Sequence, residues 1–226
     1  VRHLRAGGRA GGLMELPRRV PLFPLPNAVL FPGVPLPLHI FEPRYREMVR
    51  DVERREDKLI GMVLLRGDWR KDYYGRPDVY AVGCAGRMVS VEPLPDGRFN
   101  ILLQGVREFA LLGEGGDRAY REGEVAWRPA EPVGVPRELR TRIHAVAQRY
   151  LEEREPKLVG RLLADTSLSD ELLINFLCYA LDFSPMEKQA LLEAPGLADR
   201  GRRLCDVIQF ALEARLGGGD LDKWCH

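Results

Sequence analysis

The sequence predicts an α+β fold: a twisted, partly closed β lobe over residues 20–130 with one inserted helix, followed by a helical lobe over 131–226. Three observations predict it. Residues 58–128 read as strands separated by loop and turn signals, and apolar residues recur with a helical period after about residue 136. A Pro/Gly-rich connector from Pro129 to Pro136 separates the two textures. The greasiest stretch, Val20 to Tyr45, holds seven of the chain's 17 prolines. Proline removes an N–H and fixes φ, so that stretch suits neither a helix nor a central strand.

Residues 1–19 carry five Arg and one Glu among glycines and read as a flexible tail, with Val1 or Met14 as the start. Val20–Leu25 follows as a short edge strand, and Pro26-Asn27 and Pro32-Gly33 are turn signals. Val34–Phe41 is a second extended piece, with Leu36, Leu38 and Ile40 on one face. A helix begins near Pro43, because Tyr45, Met48, Val49 and Val52 recur on a single stripe. "KLIGMVLLR" is a strand apolar enough to be central. "DWRKDYYGRPD" is a polar loop holding three aromatics. Two long strands flank Pro95-Asp96-Gly97, a hairpin signal, and Gly83, Gly86 and Gly105 within them suggest bulges or bends. "GEGGD" is a further turn, and "YREGEVAWRP" a last strand.

The helical lobe opens with Leu139, Ile143, Val146, Ala147 and Tyr150 on one face. Lys157–Leu163 reads as a short helix. Ser169 caps the next one. Ser184-Pro185-Met186-Glu187 is a capping box with Pro at the first helical position. The final helix, Leu197–Leu216, stops at Gly217–Gly219.

Composition excludes several functions. Net charge is +1, and the excess sits in the first 19 residues; residues 20–135 sum to −1 and 136–226 to −2. No lobe carries the basic footprint of a nucleic-acid binder, so nucleic acid is not an expected partner. Pro21, Pro24 and Pro26 break any signal or membrane helix at its start, and no other apolar run is long enough. The cysteines, Cys84, Cys178, Cys205 and Cys225, have no CxxC spacing and sit mostly among apolar residues. They predict reduced, buried thiols in a cytoplasmic protein, without zinc.

Catalytic signatures are also missing. There is no Walker A loop, G-x-S-x-G elbow or H-E-x-x-H motif, and no cofactor is expected. His39 lies three residues before Glu42 but has no nucleophile beside it; it reads as a hydrogen-bonded anchor of the strand–helix corner. Arg107 and Glu108 read as a solvent-exposed ion pair on an edge strand. Trp69, Tyr73 and Tyr74 are evenly balanced between capping the core and binding a partner.

Three segments match a known family in order. "PLFPLPNAVLFPGVPLPLHIFEPRYREMV" closely resembles the opening signature of the Lon N-terminal domain family, the substrate-binding domain of ATP-dependent Lon proteases. "VGCAGRMVSVEPLPDGRFNILLQGVREF" and "SPMEKQALLEAPGLADRGRRL" extend the resemblance to about Leu216. It implies a PUA-like β lobe followed by a helical lobe, and a non-enzymatic module, standing alone, that binds unfolded or damaged polypeptide. A separate ATP-dependent protease or chaperone is the partner this suggests, and no membrane. On this reading Phe23, Phe31, Leu36, Trp69, Tyr73 and Tyr74 are the candidate polypeptide-binding residues. The alternative is a PUA-like small-ligand or RNA-binding module, supported by analogy only.

Overall fold

The computed structural model describes residues 16–129, 134–151 and 168–218. Outside them fall the tail before Leu16, half of the connector, the Lys157–Leu163 segment, Cys225 and the last glycine of the chain's final stop. Six strands form one mixed sheet: β1 (Arg19–Leu25), β2 (Pro35–Ile40), β3 (Leu59–Leu64), β4 (Val82–Pro93), β5 (Phe99–Gly115) and β6 (Arg121–Trp127). The described helices are α1 (Pro43–Glu53), α2 (Arg137–Leu151), α3 (Asp170–Ala180), α4 (Pro185–Leu192) and α5 (Leu197–Gly218). The architecture is α+β.

The sheet runs β2-β5-β4-β3-β1-β6, and β6 also pairs with β5. Strands β5, β4, β3, β1 and β6 therefore close into a ring, with β2 laid on the first half of β5. Every ring strand contributes to one apolar cluster: Val20, Leu22, Leu59, Val63, Ala85, Phe109 and Val125. This cluster is the interior of the ring. Strand alternation sends the neighbouring Phe23, Met62 and Leu64 outward, into a larger core shared with α1, the Val29–Val34 segment and the helices after residue 137.

One expectation is corrected. Strand β1 is not an edge: it pairs with β6 over Arg19–Leu22 and with β3, in parallel, over Leu22–Leu25. The prolines are tolerated because the two pairings are staggered. Val125 N donates to Arg18 O, so even-numbered residues of β1 face β6 and odd ones face β3. Pro21 thus turns its missing donor toward β3 before that pairing begins, and Pro24 toward β6 after that pairing ends. In β2, Gly105 N donates to Val34 O, which turns Pro35, Pro37 and His39 to the free outer margin. There proline blocks further strand addition.

The bends predicted at Gly86 and Gly105 are present, whereas Gly83 pairs in regular register with Phe109. The β4–β5 register shifts at Ala85/Gly86. A Cβ on Gly105 would stand 2.0 Å from Phe31 O, so only glycine admits the proline-rich segment this closely. The turn expected at residues 113–117 comes later, since β5 continues through Gly115.

The helix starts match their signals. Ser169 accepts from Leu172 N at 3.2 Å, and Ser184 and Glu187 form the reciprocal capping box. Polar side chains then fasten these helices to the sheet. Asn175 donates to Pro32 O at 3.0 Å and Gln189 to Val82 O at 2.9 Å. Arg128 donates to Leu192 O and Ala194 O, both at 3.1 Å. Arg200 donates to Leu191 O at 3.0 Å and pairs with Glu108. Glu108 is only 8% exposed, a second correction: the carboxylate expected at the surface is buried between Arg200 and Arg128.

Candidate functional site: an arginine–tyrosine cleft

The loop over residues 66–80 closes on itself at its base. Leu65 bridges Val79, Arg66 N donates to Asp78 O at 2.8 Å, and Tyr80 N to Leu64 O at 2.9 Å. At its tip Trp69–Asp72 forms a 3₁₀ turn, and Asp72 accepts from the backbone N–H groups of Gly75 and Arg76. Tyr73 anchors the loop to the start of α1. Its hydroxyl donates to Glu42 Oε1 at 2.8 Å, while Arg44 binds Glu42 Oε2 at 3.0 Å and stacks over Tyr45 and Tyr73. Desolvation and the Glu42 carboxylate raise the Tyr73 pKa.

Between this loop, α1 and the start of β6 lies a cleft of about 280 Å³. Four arginines line it, Arg44, Arg76, Arg118 and Arg121, together with Tyr45, Tyr74 and Tyr120; no carboxylate does. Three of the arginines are paired with acids. Arg44 has Glu42, Arg118 has Asp51 at 3.3 Å, and Arg121 has Glu114 and donates to Pro77 O at 2.8 Å. Tyr120 also donates to Asp51, at 3.0 Å; burial, then that bond, pushes its pKa up to about 12. Burial likewise raises Tyr45. Both phenols stay protonated at neutral pH, and Tyr120 spends its one proton on Asp51. Arg76 has no side-chain hydrogen bond or ion pair among the described residues.

A second cleft, of about 370 Å³, adjoins the first and shares Arg76 and Arg121 with it. Its apolar walls are Val79 and Ala81 at the end of the loop and Leu111 and Leu112 from β5, and Asp78 and Glu114 line it beside the two arginines. The β4–β5 pairing ends at Val82 and Ala110, and one more bond joins Leu111 N to Ala81 O at 2.7 Å. Beyond it, β5 from Leu112 to Gly115 pairs only with β6 among the described strands. An unpaired strand margin therefore runs beside an apolar trough, with Leu112 65% exposed on its rim.

The six sequence-predicted residues divide between core and surface. Phe23, Phe31 and Leu36 are core. Phe23 packs on Tyr45 with ring centroids 4.3 Å apart, Phe31 is fully buried with Arg200 over its ring, and Leu36 lies against β5. In this conformation no polypeptide reaches them. Their contacts go to the shared core because the ribbon is covered by α1 and the later helices. Trp69, Tyr73 and Tyr74 are brought together as a tilted, edge-on stack. Tyr73 is the anchor, Trp69 is partly buried, and Tyr74 is 86% exposed on the cleft wall. The arginines were not predicted. They come from α1, the loop, the β5–β6 turn and the start of β6, and no local pattern joins residues 44, 76, 118 and 121.

The remaining reactive groups are occupied. His39 contacts Asn100 Oδ1 at 2.8 Å and Arg98 at 3.3 Å. Cys84, Cys178 and Cys205 are free and buried; desolvation raises all three thiols, Cys178 up to about 12. Among the described residues no three His, Cys, Asp or Glu side chains converge as a metal would require. Nor is any described helix long and apolar enough to cross a membrane.

The family model of the ATP-dependent protease La (LON) substrate-binding domain matches residues 19–209, spanning the sheet, both clefts and the helices. The chain belongs to that family. A Lon protease of Flavobacterium johnsoniae is 27% identical over 88% of this chain, and Lon protease 2 of Syntrophobacter fumaroxidans 29% over 80%. The chain spans about a quarter of the length of these relatives. Among solved structures, the Lon N-terminal domain protein of Xanthomonas campestris is 26% identical, with a TM-score of 0.63 over 82% of this chain and 96% of that one. The N-terminal domain of a Mycobacterium avium complex Lon protease shares the fold at 18% identity, with a TM-score of 0.65 over 84% of this chain and 98% of that one. The family match runs from β1 through most of α5.

Proposed function

We propose that this Lon substrate-binding domain holds unfolded or partly unfolded polypeptide segments and performs no bond chemistry of its own. The observation that carries the reading is the unpaired β5 margin at Leu112–Gly115 beside the apolar trough. An extended chain can add there as a strand, using main-chain hydrogen bonds that every sequence shares, while Leu112 and Val79 take its apolar side chains. Main-chain recognition is what a binder of diverse unfolded clients needs. The buried, unactivated thiols and the fully engaged His39 support a non-enzymatic role. The client would pass to an ATP-dependent protease, on the same chain or a separate one, in the cytoplasm, where buried free cysteines persist.

The test is anisotropy with fluorescent, reduced and carboxymethylated casein against a native globular control. Affinity on the order of micromolar for the unfolded chain alone is expected. Equal binding of native protein, or none of either, overturns the reading; cleavage of casein overturns its non-enzymatic part. The arginine–tyrosine cleft favours a second reading, RNA held through phosphates and stacked bases. A gel shift with structured RNA at moderate salt, absent with casein, selects it.

A further inference from the structure

Resting on the polypeptide-binding reading, we propose that Arg76 makes the site selective for extended segments in which an acidic side chain follows apolar ones, the carboxylate entering the arginine–tyrosine cleft. The two clefts meet at Arg76, which lines both. One offers apolar walls and an open strand margin; the other offers guanidinium and phenol donors with no carboxylate in its lining. A chain lying along β5 that fills the trough with apolar side chains brings its next residues to Arg76.

The charge count fixes the kind of ligand. Glu42, Asp51 and Glu114 already neutralise Arg44, Arg118 and Arg121. Within the first cleft one guanidinium is left over, and it matches one carboxylate, which it can bind with two parallel hydrogen bonds. Tyr74 and Tyr120 stand on the same walls as apolar flanks for the acid's methylenes. A phosphate chain fits less well. Its successive charges would meet the three acids paired with the arginines, and Asp78 and Glu114 along the second cleft. Arg76 is on the surface, and none of its side-chain contacts hold the fold, so its free charge is not explained by stability.

The experiment uses the whole chain and three fluorescein-labelled ten-residue peptides with amidated C-termini. They are identical apolar sequences with a single Glu, Gln or Lys. The Glu peptide should bind about tenfold tighter than the Gln peptide, the scale of one charge-assisted hydrogen-bonded pair. Arg76→Glu should erase that preference and favour the Lys peptide, a reversal that a merely structural role would not produce. Both proteins should still hold unfolded casein and melt at the same temperature. Equal binding of the Glu and Gln peptides, unchanged in Arg76→Glu while casein is still held, overturns the selectivity and leaves the polypeptide-binding reading intact. Loss of casein binding in the unaltered protein overturns both. A structured RNA that displaces the Glu peptide with higher affinity assigns the cleft to phosphate and overturns the proposal.

Discussion

Two arginine clusters sit at opposite ends of β5's second half, and they differ in whether their charges are closed. At Glu108, Arg200 is 4% exposed and shares its donors among the carboxylate, Asn175 Oδ1 and the carbonyls of Leu191 and Leu192. Every direction is used, and the pair ties sheet to helices. At the loop, Arg44 and Arg121 are enclosed beside their carboxylates, but Arg118 and Arg76 are exposed, and Arg76 is unmatched among the described residues. The same residue type serves as a clamp where it is enclosed and saturated, and as a binding surface where it is open.

The largest expected effect comes from breaking the closed cluster. Arg200→Ala strands Glu108 without its main partner and should destabilise by about 3–5 kcal/mol in urea unfolding. The double replacement Arg200→Met, Glu108→Leu should recover much of this, because the fully buried pair is gone and the half-buried Arg128 keeps the carbonyls of Leu192 and Ala194. A loss in Arg200→Ala below about 1 kcal/mol would mean the pair is not enclosed. Phe31→Ala, next to that clamp, should lose a similar 3–5 kcal/mol. If it instead weakened casein binding at unchanged stability, the proline ribbon would be surface after all. In the open cluster, Arg76→Ala and Tyr74→Ala should leave stability within about 0.5 kcal/mol. Arg76→Ala should lower affinity only for Glu-containing peptides, and Tyr74→Ala should weaken the same peptides less.

The smallest effect lies away from both clusters. Burial, then Arg140, holds His144 below its ordinary 6.5, against the opposing pull of Asp170. The unfolded chain therefore takes up the proton first. Stability should fall as pH drops from 6.5 through the lower folded value, and be flat above. His144→Gln should remove that slope; a slope that persists assigns it elsewhere.

Much of the fold was legible because its signals are local. The Ser184 capping box, the Ser169 cap, the stripe on α1 and the Pro95-Asp96-Gly97 hairpin each declare themselves within a few residues. What sequence could not supply was pairing across distance. Strand β1 reads as an edge from its prolines, yet the stagger of β3 and β6 lets it sit inside the sheet. Glu108 reads as exposed because its partners lie 92 and 20 residues away. For the site, the aromatic loop was visible and the apolar ribbon misleading. Phe23, Phe31 and Leu36 are what a surface groove needs, and equally what a core needs. The arginines gather only when the ring closes.

That closure bears on how the chain is born. Strand β1 finds its second neighbour only in β6, roughly a hundred residues later, and at about 5–20 residues per second the ribosome delivers it on the order of ten seconds after β1 emerges. Until then the nascent sheet is an unsealed hoop with a raw hem along β1. A messenger that slowed translation before codon 121 would prolong that hazard and call for a chaperone to shield it.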